Sequence, residues 1–510
     1  MNRAPAAPPE AEHGSRKLAT WLLLAALVAA IGFRLYLLLA NDFPVNDGAL
    51  FLEFVRATAA TFPNLPSHAQ YNGILLPLAY PPLSFWLGAL LTKLGFEPLQ
   101  LVRTVPIVMN IGYVLLFALL LLKSGRSRLF TGLALLFFAA NLRSFEWLLM
   151  GGGLTRGLGS LFLILTLLTV KIPDQGRAAA IAPGRAALAG IAVAGAILAH
   201  LEWGILAAGS VVLSRALGSR SFKDFVTSCA IAGTTALAVV LPWLLFVAEA
   251  HGLEPFLAAG STSGWSPGLI WRPVGIASMA VASNPFTLLG GIILIVKRQW
   301  FWVGFILLCV FLTPRHAPTP SMLPITVFGA QGLISAYELA LRFVRSRKLL
   351  AGAAAAVVVL LLAFNLYRTQ LHAPRTFRVL PEEMRQAMGW VAANHPGRSF
   401  AIINDRAWQN DSTAEWFPVL ASARSVTTVQ GREWNGEFVR WEIMSLSLKS
   451  SASCAELHSN LRNFGAFDFI WAETMPQCFA SPRYRPVFRN EAVTIYKLQD
   501  GAAAGQTASR

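Results

Sequence analysis

Charge is the scarcest ingredient of this chain. Asp, Glu, Lys and Arg together make up 13% of its 510 residues, about half the share usual in soluble domains. A chain of this length with so few charges cannot clothe its whole surface for water, and much of that surface belongs in lipid. Cysteine is also rare, with four residues. Cys229 and Cys309 fall inside apolar runs, where a buried free thiol is ordinary. Cys454 and Cys478 lie in a polar C-terminal region and are the obvious disulfide pair if that region is outside the cytoplasm. There is no tandem repeat of the solenoid kind. The net charge of +16 does not point to nucleic acid, because no basic patch with interleaved aromatics is present.

What the chain has in abundance is long apolar runs. About eleven spanning helices are predicted, at 19–40, 102–122, 128–147, 154–171, 186–200, 202–217, 225–248, 273–296, 299–313, 318–338 and 349–366. The first run is too long for a signal peptide core and lacks a small-residue cleavage site, so it reads as a retained helix. The preceding residues 1–18, rich in Ala and Pro, read as a disordered cytoplasmic N-terminus. Segment 81–94 is apolar but short of the roughly 20 residues a span needs. Leaving it out of the count puts Lys123, Arg126 and Arg128, then Arg215, Arg220 and Lys223, then Arg345, Arg347 and Lys348 on one side. Counting it as a span moves every one of those clusters to the outside, and the positive-inside rule prefers the former. A multi-pass protein of the bacterial inner membrane follows, with its N-terminus cytoplasmic and everything beyond residue 367 extracytoplasmic.

Two domains of unequal character result. Residues 19–368 form a transmembrane domain with a long first outer loop at 41–101. Within that loop, 48–62 has helical apolar spacing and reads as an amphipathic helix lying on the membrane surface. Residues 369–499 read as a small extracytoplasmic α/β domain, with helices in PEEMRQAMGWVAANHPG and SCAELHSNLRNFG and strands in SFAIIND, SVTTVQG, FDFIWAE and AVTIYKL. Residues 500–510 read as a disordered tail.

Ionisable groups in or beside lipid are costly and draw attention. Asp42 and Asp47 follow the first helix. A carboxylate there can act as a general base toward a hydroxyl, hold a divalent metal, or simply cap the helix that begins after Asp47. Arg34 either snorkels to the interface or faces a polar cavity. Glu146 precedes three glycines that permit close backbone approach, and Arg156 follows them as a phosphate ligand or an interfacial anchor. His200 and Glu202 sit deep in apolar sequence, either satisfying each other or serving a site; their spacing matches no zinc motif. Arg315 and His316 lie in an outer turn, where a guanidinium suits a phosphate. The Trp- and Arg-rich stretch EWFPVLASARSVTTVQGREW fits either carbohydrate contact or a domain core.

The order of these features resembles the GT-C superfamily of membrane glycosyltransferases. GFRLYLLLA ends the first helix, NDGALFLEFVRAT opens the outer loop, YPPLSFWLGALL follows, and LVRTVPIVMNIGYVLL begins with an arginine helix. PRHAPTPSMLPITVFGAQGL resembles the late arginine-proline helix of bacterial members, and AMGWVAANHPG, EWFPVLASARSV and QGREW resemble their extracytoplasmic domain. The resemblance implies transfer of a sugar from a polyprenyl-phosphate donor to an acceptor that the sequence does not identify. It implies Asp47 as the catalytic carboxylate, with Arg156 or Arg315 on the donor phosphate and His200 and Glu202 shaping the cavity. The family's usual paired acid is missing, since Gly48 follows Asp47, and Glu146 is the candidate for a second acidic position. A divalent metal therefore stays open. Two other readings compete: a transporter or lipid flippase, and a non-catalytic assembly protein with a glycan-binding extracytoplasmic domain.

Overall fold

The computed structural model describes residues 9–172, 181–261, 267–434 and 436–499. The expected disordered stretches at 1–8 and 500–510 lie outside the described residues. The first helix, Pro9–Leu39, begins well before the apolar run. Residues 9–18 are therefore helical rather than disordered, with a proline at the first turn where its missing N–H costs nothing.

The chain is a multi-pass helical membrane protein. Among the described residues, six helices are long and apolar enough to cross a bilayer: Lys17–Leu39, Pro98–Lys123, Gly153–Val170, Leu201–Gly218, Phe222–His251 and Arg347–Ala373. Gly268–Ser283 and Phe286–Val296 are apolar enough together but bent by 116°, which makes the pair either a broken seventh span or a re-entrant loop. Shorter apolar helices are Arg128–Ala140, Pro183–Ala199 and Trp300–Leu312, and Pro318–Ala340 is long and buried through its first half.

Two expected spans are corrected. The run 273–296 is a broken pair, because Pro285 drives Asn284 into extended backbone (φ −159°, ψ 108°) and the helix must stop there. The run 128–147 ends at Ala140, where Asn141 turns extended and its side chain caps Arg143 N at 3.0 Å. A short turn and the helix Glu146–Leu149 complete that segment.

The first loop is built rather than draped. Helix Ala49–Thr61 is followed by a hairpin, β1 (His68–Tyr71) and β2 (Ile74–Pro77), and by helix Leu83–Lys93. Asn72 and Gly73 turn the hairpin with φ of 52° and 72°, the twist that two-residue turns require. The 11 residues of Leu83–Lys93 reach about 16 Å, roughly half the hydrocarbon core. The helix expected on the membrane surface is instead enclosed. Leu52, Phe54 and Val55 are buried in one core with Phe85 and with Met388, Phe417 and Trp471 of the C-terminal domain.

That domain carries a five-stranded sheet of β3 (Ser399–Ile403), β4 (Arg424–Ser425), β5 (Phe469–Ala472), β6 (Tyr484–Arg489) and β7 (Thr494–Leu498). The order is β4-β3-β5-β7-β6, parallel through β4, β3 and β5 and antiparallel thereafter. Alternation along the strands makes two cores. Phe400, Ile402 and Trp471 face helices Glu382–Asn394 and Ser412–Leu420, while Ala401, Ile403 and Ile470 face Leu448, Leu457 and Leu461. In SVTTVQG only the first serine is in a strand. The segment then leaves the sheet as the Thr427 hydroxyl bonds Ile402 N at 3.0 Å. Cys454 is bonded to Cys478, with Cα atoms 5.1 Å apart.

Candidate active site at the Asp47 loop

The loop 45–49 crosses the end of the helical bundle beneath the C-terminal domain, and both sides grip it. From the bundle, Gly151 N donates to Val45 O at 3.1 Å. From the domain, Val379 pairs with Val45 in a β-bridge, and Trp416 Nε1 donates to Asn46 O at 3.0 Å. Asp47 does not cap the helix that follows it. Glu415 does so from the domain, its Oε1 accepting from Gly48 N at 2.7 Å and Ala49 N at 3.1 Å. Those amides are the orphan donors that every helix start exposes.

Asp47 is thereby released to turn the other way. Its Oδ1 accepts from Gly152 N and its Oδ2 from Arg156 Nη2, both at 2.8 Å. The two side chains are 18% and 11% exposed, so the pair is shielded but reachable. The glycine run explains the approach. A Cβ at Gly152 would lie 2.6 Å from Asp47 Oδ2, so only glycine lets this backbone N–H meet the carboxylate. Each carboxylate oxygen keeps lone pairs for a further donor.

Around the pair sits a ring of polar and aromatic groups. The Arg156 guanidinium lies 5.4 Å from the centre of the Trp147 ring, a favourable cation–π geometry, and its Nε is buried without a hydrogen-bond partner. The Trp147 ring is 6.3 Å from His316, and His316 is 5.7 Å from His200. His316 Nδ1 bonds the Glu202 carboxylate. Glu202 thus pairs across helices and not with its sequence neighbour His200, whose buried Nδ1 has no partner. The Tyr80 hydroxyl is 3.3 Å from Thr155 Oγ1, and its ring stands 6.2 Å from His200 and 5.3 Å from Trp434. Arg315 acts electrostatically on Tyr80 and on Glu433 of the domain. Burial pushes the Glu433 carboxyl up, and Arg315 opposes that rise.

The structure therefore gathers Asp47, Arg156, His200, Glu202, Arg315 and His316. Three expected site residues stand elsewhere. Arg34 neither snorkels nor faces the cluster. It is fully buried, with Nε bonded to Asn110 Oδ1 at 2.6 Å and its guanidinium 4.8 Å from the Phe145 ring centre. Asp42 is exposed and meets Arg385 of the domain at 2.7 Å, whose hydrogen bond holds its carboxyl below the usual range. Glu146 pairs with Arg143 at 2.6 Å and lines a separate cavity.

Sequence reasoning missed Tyr80, Trp147, Glu415 and Trp434. Tyr80 stands before the Pro-Pro pair, and Glu415 is a lone acid in an apolar stretch; both were visible signals. Of the Trp-rich stretch, Trp416 is wholly buried as core, its ring 4.7 Å from Phe43, while Trp434 borders the cluster. Among the described residues no three of His, Cys, Asp and Glu converge as a metal site, and Asp47 already faces a guanidinium.

Solved structures share this architecture. The archaeal oligosaccharyltransferase AglB from Archaeoglobus fulgidus, in complex with an inhibitory peptide and a dolichol-phosphate, aligns at TM-score 0.53 and 10% identity, over 94% of this chain and 74% of that one. ArnT from Cupriavidus metallidurans bound to undecaprenyl phosphate aligns at TM-score 0.54 and 14% identity, over 94% and 98%. The chain has the GT-C fold. Mycobacterial arabinofuranosyltransferase AftD adds a third GT-C likeness, at TM-score 0.52 and 16% identity, over 95% of this chain and 40% of AftD. No family model and no curated protein matches the sequence, so at this divergence the GT-C likeness is one of fold. It extends over both the helical bundle and the C-terminal domain.

Proposed function

We propose that the chain is a glycosyltransferase that moves a sugar from a polyprenyl-phosphate donor to an acceptor hydroxyl at the domain-covered end of the bundle. The observation that carries this reading is the Asp47 carboxylate, held by Gly152 N and Arg156 within a ring of polar and aromatic groups, in a GT-C fold. In the reaction the acceptor oxygen bonds to the anomeric carbon as the bond from that carbon to the phosphate oxygen breaks. Asp47 takes the acceptor proton. Arg156 and Arg315 meet the phosphate and stabilise the charge it gains on leaving. The unpartnered Nε of Arg156 is the donor left for a substrate oxygen, and the unpartnered Nδ1 of His200 can donate or accept according to its tautomer. His316 and Glu202 hold the far wall, and Tyr80 and Trp434 offer rings for a sugar face.

The printed ligands of the AglB and ArnT structures, a dolichol-phosphate and undecaprenyl phosphate, support a lipid-linked donor for this chain as well. We place the chain in the bacterial inner membrane, with the N-terminus in the cytoplasm and the C-terminal domain outside. The test is turnover of polyprenyl-phosphate sugars by purified wild type and Asp47→Asn protein. Asp47→Asn is expected to bind the donor and lose about 10²–10⁴-fold in turnover, the usual worth of a general base. Full turnover by the variant removes Asp47 from the mechanism. A wild type that binds no lipid-linked sugar moves the transporter reading forward, and the broken helix pair at Asn284–Pro285 is the feature that reading would start from.

A further inference from the structure

A second polar site lies beyond the turn 314–318. A cavity of about 610 Å³ opens between helices Arg272–Ser283 and Arg347–Thr376 and the turn around Asn141. Arg143, Arg272, Arg368 and His372 line it, and Glu146 is its one acidic lining residue. Glu146 is engaged by Arg143 at 2.6 Å. Arg272 donates to the Pro314 carbonyl, and Arg368 makes a long 3.4 Å bond to Ala282 O. Neither of those two has a carboxylate within ion-pair reach among the described residues.

The floor is built, not accidental. Asn365 Nδ2 donates to Ser283 O at 2.7 Å and Asn141 Nδ2 to Ser283 Oγ at 2.8 Å, and Thr369 Oγ1 donates to Ala140 O at 3.1 Å. These bonds tie the helix break to both neighbouring helices. The outer wall is helix Arg347–Ala373, of which 6% is buried over its most apolar window. Phe364, Leu366, Tyr367 and Leu371 stand exposed beside Arg368 and His372. The cavity thus joins a basic interior to an exposed apolar helix face.

Arginines in or beside lipid are costly unless they meet an opposite charge. Guanidinium groups match phosphate oxygens with paired, charge-assisted bonds, and basic pockets between spanning helices suit phosphate headgroups. We propose that this cavity binds the phosphate headgroup of a membrane phospholipid, with its chains along the exposed face of Arg347–Thr376. The turn 314–318 is shared between the two sites. Ala317 and Pro318 line the cavity, while Arg315 and His316 belong to the Asp47 cluster. A lipid seated here would therefore brace the segment that carries the two cluster residues. The proposal stands whether or not the chain transfers sugars.

The test is lipid retention by the purified full chain, followed by native mass spectrometry. Phosphatidylglycerol, phosphatidylcholine, a polyprenyl phosphate and inorganic phosphate serve as probes against wild type, Arg368→Gln and Arg368→Lys. Phosphatidylglycerol is expected to bind wild type, to weaken about tenfold in Arg368→Gln, as for the loss of one charge-assisted bond, and to recover in part in Arg368→Lys. A melting temperature of Arg368→Gln equal to wild type shows that the fold is intact, and His372→Gln repeats the test if it is not. Equal phosphatidylglycerol retention by wild type and both variants overturns the proposal. Displacement of the lipid by an equal concentration of inorganic phosphate makes this a solute site. Retention of polyprenyl phosphate alone makes it part of the donor path. Either result also overturns the proposal.

Discussion

At the scale of single residues, the decisive feature is a division of labour between two carboxylates. Glu415 takes the orphan amides of helix Ala49–Thr61, and Asp47 is left to face Gly152 and Arg156. Burial first, and then the neighbouring Asp47 charge, push the Glu415 carboxyl up to about 8. In the unfolded chain such a group titrates near about 4.3. The folded state then binds more protons than the unfolded one across that window. The stability Glu415 contributes is fully present below about pH 4.3, fades as pH rises and is gone above about pH 8. Glu415→Gln keeps an oxygen for both amides and removes the titration. Its melting temperature is expected to fall less than that of wild type between about pH 5 and pH 8.5, where the linkage acts. Identical pH profiles would show that Glu415 is ionised throughout. Asp42 is the contrasting case. It is exposed and tied to the half-buried Arg385, which also pairs with Glu382, and with one partner in solvent such a pair is worth about 0–1 kcal/mol. Asp42→Asn is expected to keep near wild-type turnover, and a loss comparable to that of Asp47→Asn would mean that the two aspartates act together.

At the scale of elements, the glycine run at the start of helix Gly153–Val170 sets how closely the Asp47 loop approaches. Gly152→Ala forces apart a contact in which a methyl would strike both Asp47 Oδ2 and the Arg156 guanidinium. Displacing a reacting group by about 1 Å can cost 10²-fold. Turnover of Gly152→Ala is therefore expected to fall about 100-fold with the melting temperature nearly unchanged; an active variant would show that the carboxylate position tolerates movement. Legibility in the sequence divides along the same line of local against distant. The apolar runs, most of the strands of the C-terminal domain and the Asp, Glu, Arg and His side chains that meet in the cluster were legible one by one, because each is written in a few adjacent residues; the aromatic side chains around them were not singled out. So, in principle, were the Asn72-Gly73 hairpin and the stop at Asn284-Pro285, whose turn chemistry is equally local. The run 273–296 misled because its hydropathy continues unbroken across a backbone that cannot. The pairing of Asp47 with Gly152 and Arg156, and of Glu202 with His316, was not legible. It depends on helices more than 100 residues apart meeting at one end of the bundle. Asp47 looked like the cap of its own helix because nothing local reveals that Glu415 takes that task.

At the scale of the whole molecule, the C-terminal domain holds the Asp47 loop in place as well as covering it. The Tyr71 hydroxyl donates to Glu415 O at 2.7 Å, and Asn72 exchanges two bonds with the Ser425 backbone at 2.7–2.8 Å. One apolar core runs through helix Ala49–Thr61 into the domain. Two roles for the domain then make different predictions. A domain that only chooses the acceptor should leave hydrolysis of the donor by water untouched when its grip is loosened. A domain that positions Asp47 should change that hydrolysis too. Trp416→Phe separates them. The ring stays buried beside Phe43, but Asn46 O loses the Nε1–H donor, at a cost of about 1–3 kcal/mol for a buried unsatisfied carbonyl. We expect the folded variant to hydrolyse donor about 5- to 150-fold more slowly, the rate range that this cost gives at tenfold per 1.4 kcal/mol of lost transition-state stabilisation. Unchanged hydrolysis with impaired transfer would instead assign the domain to acceptor choice. In that case the Asp47 loop would owe its shape to the bundle alone, through Gly151 and Gly152.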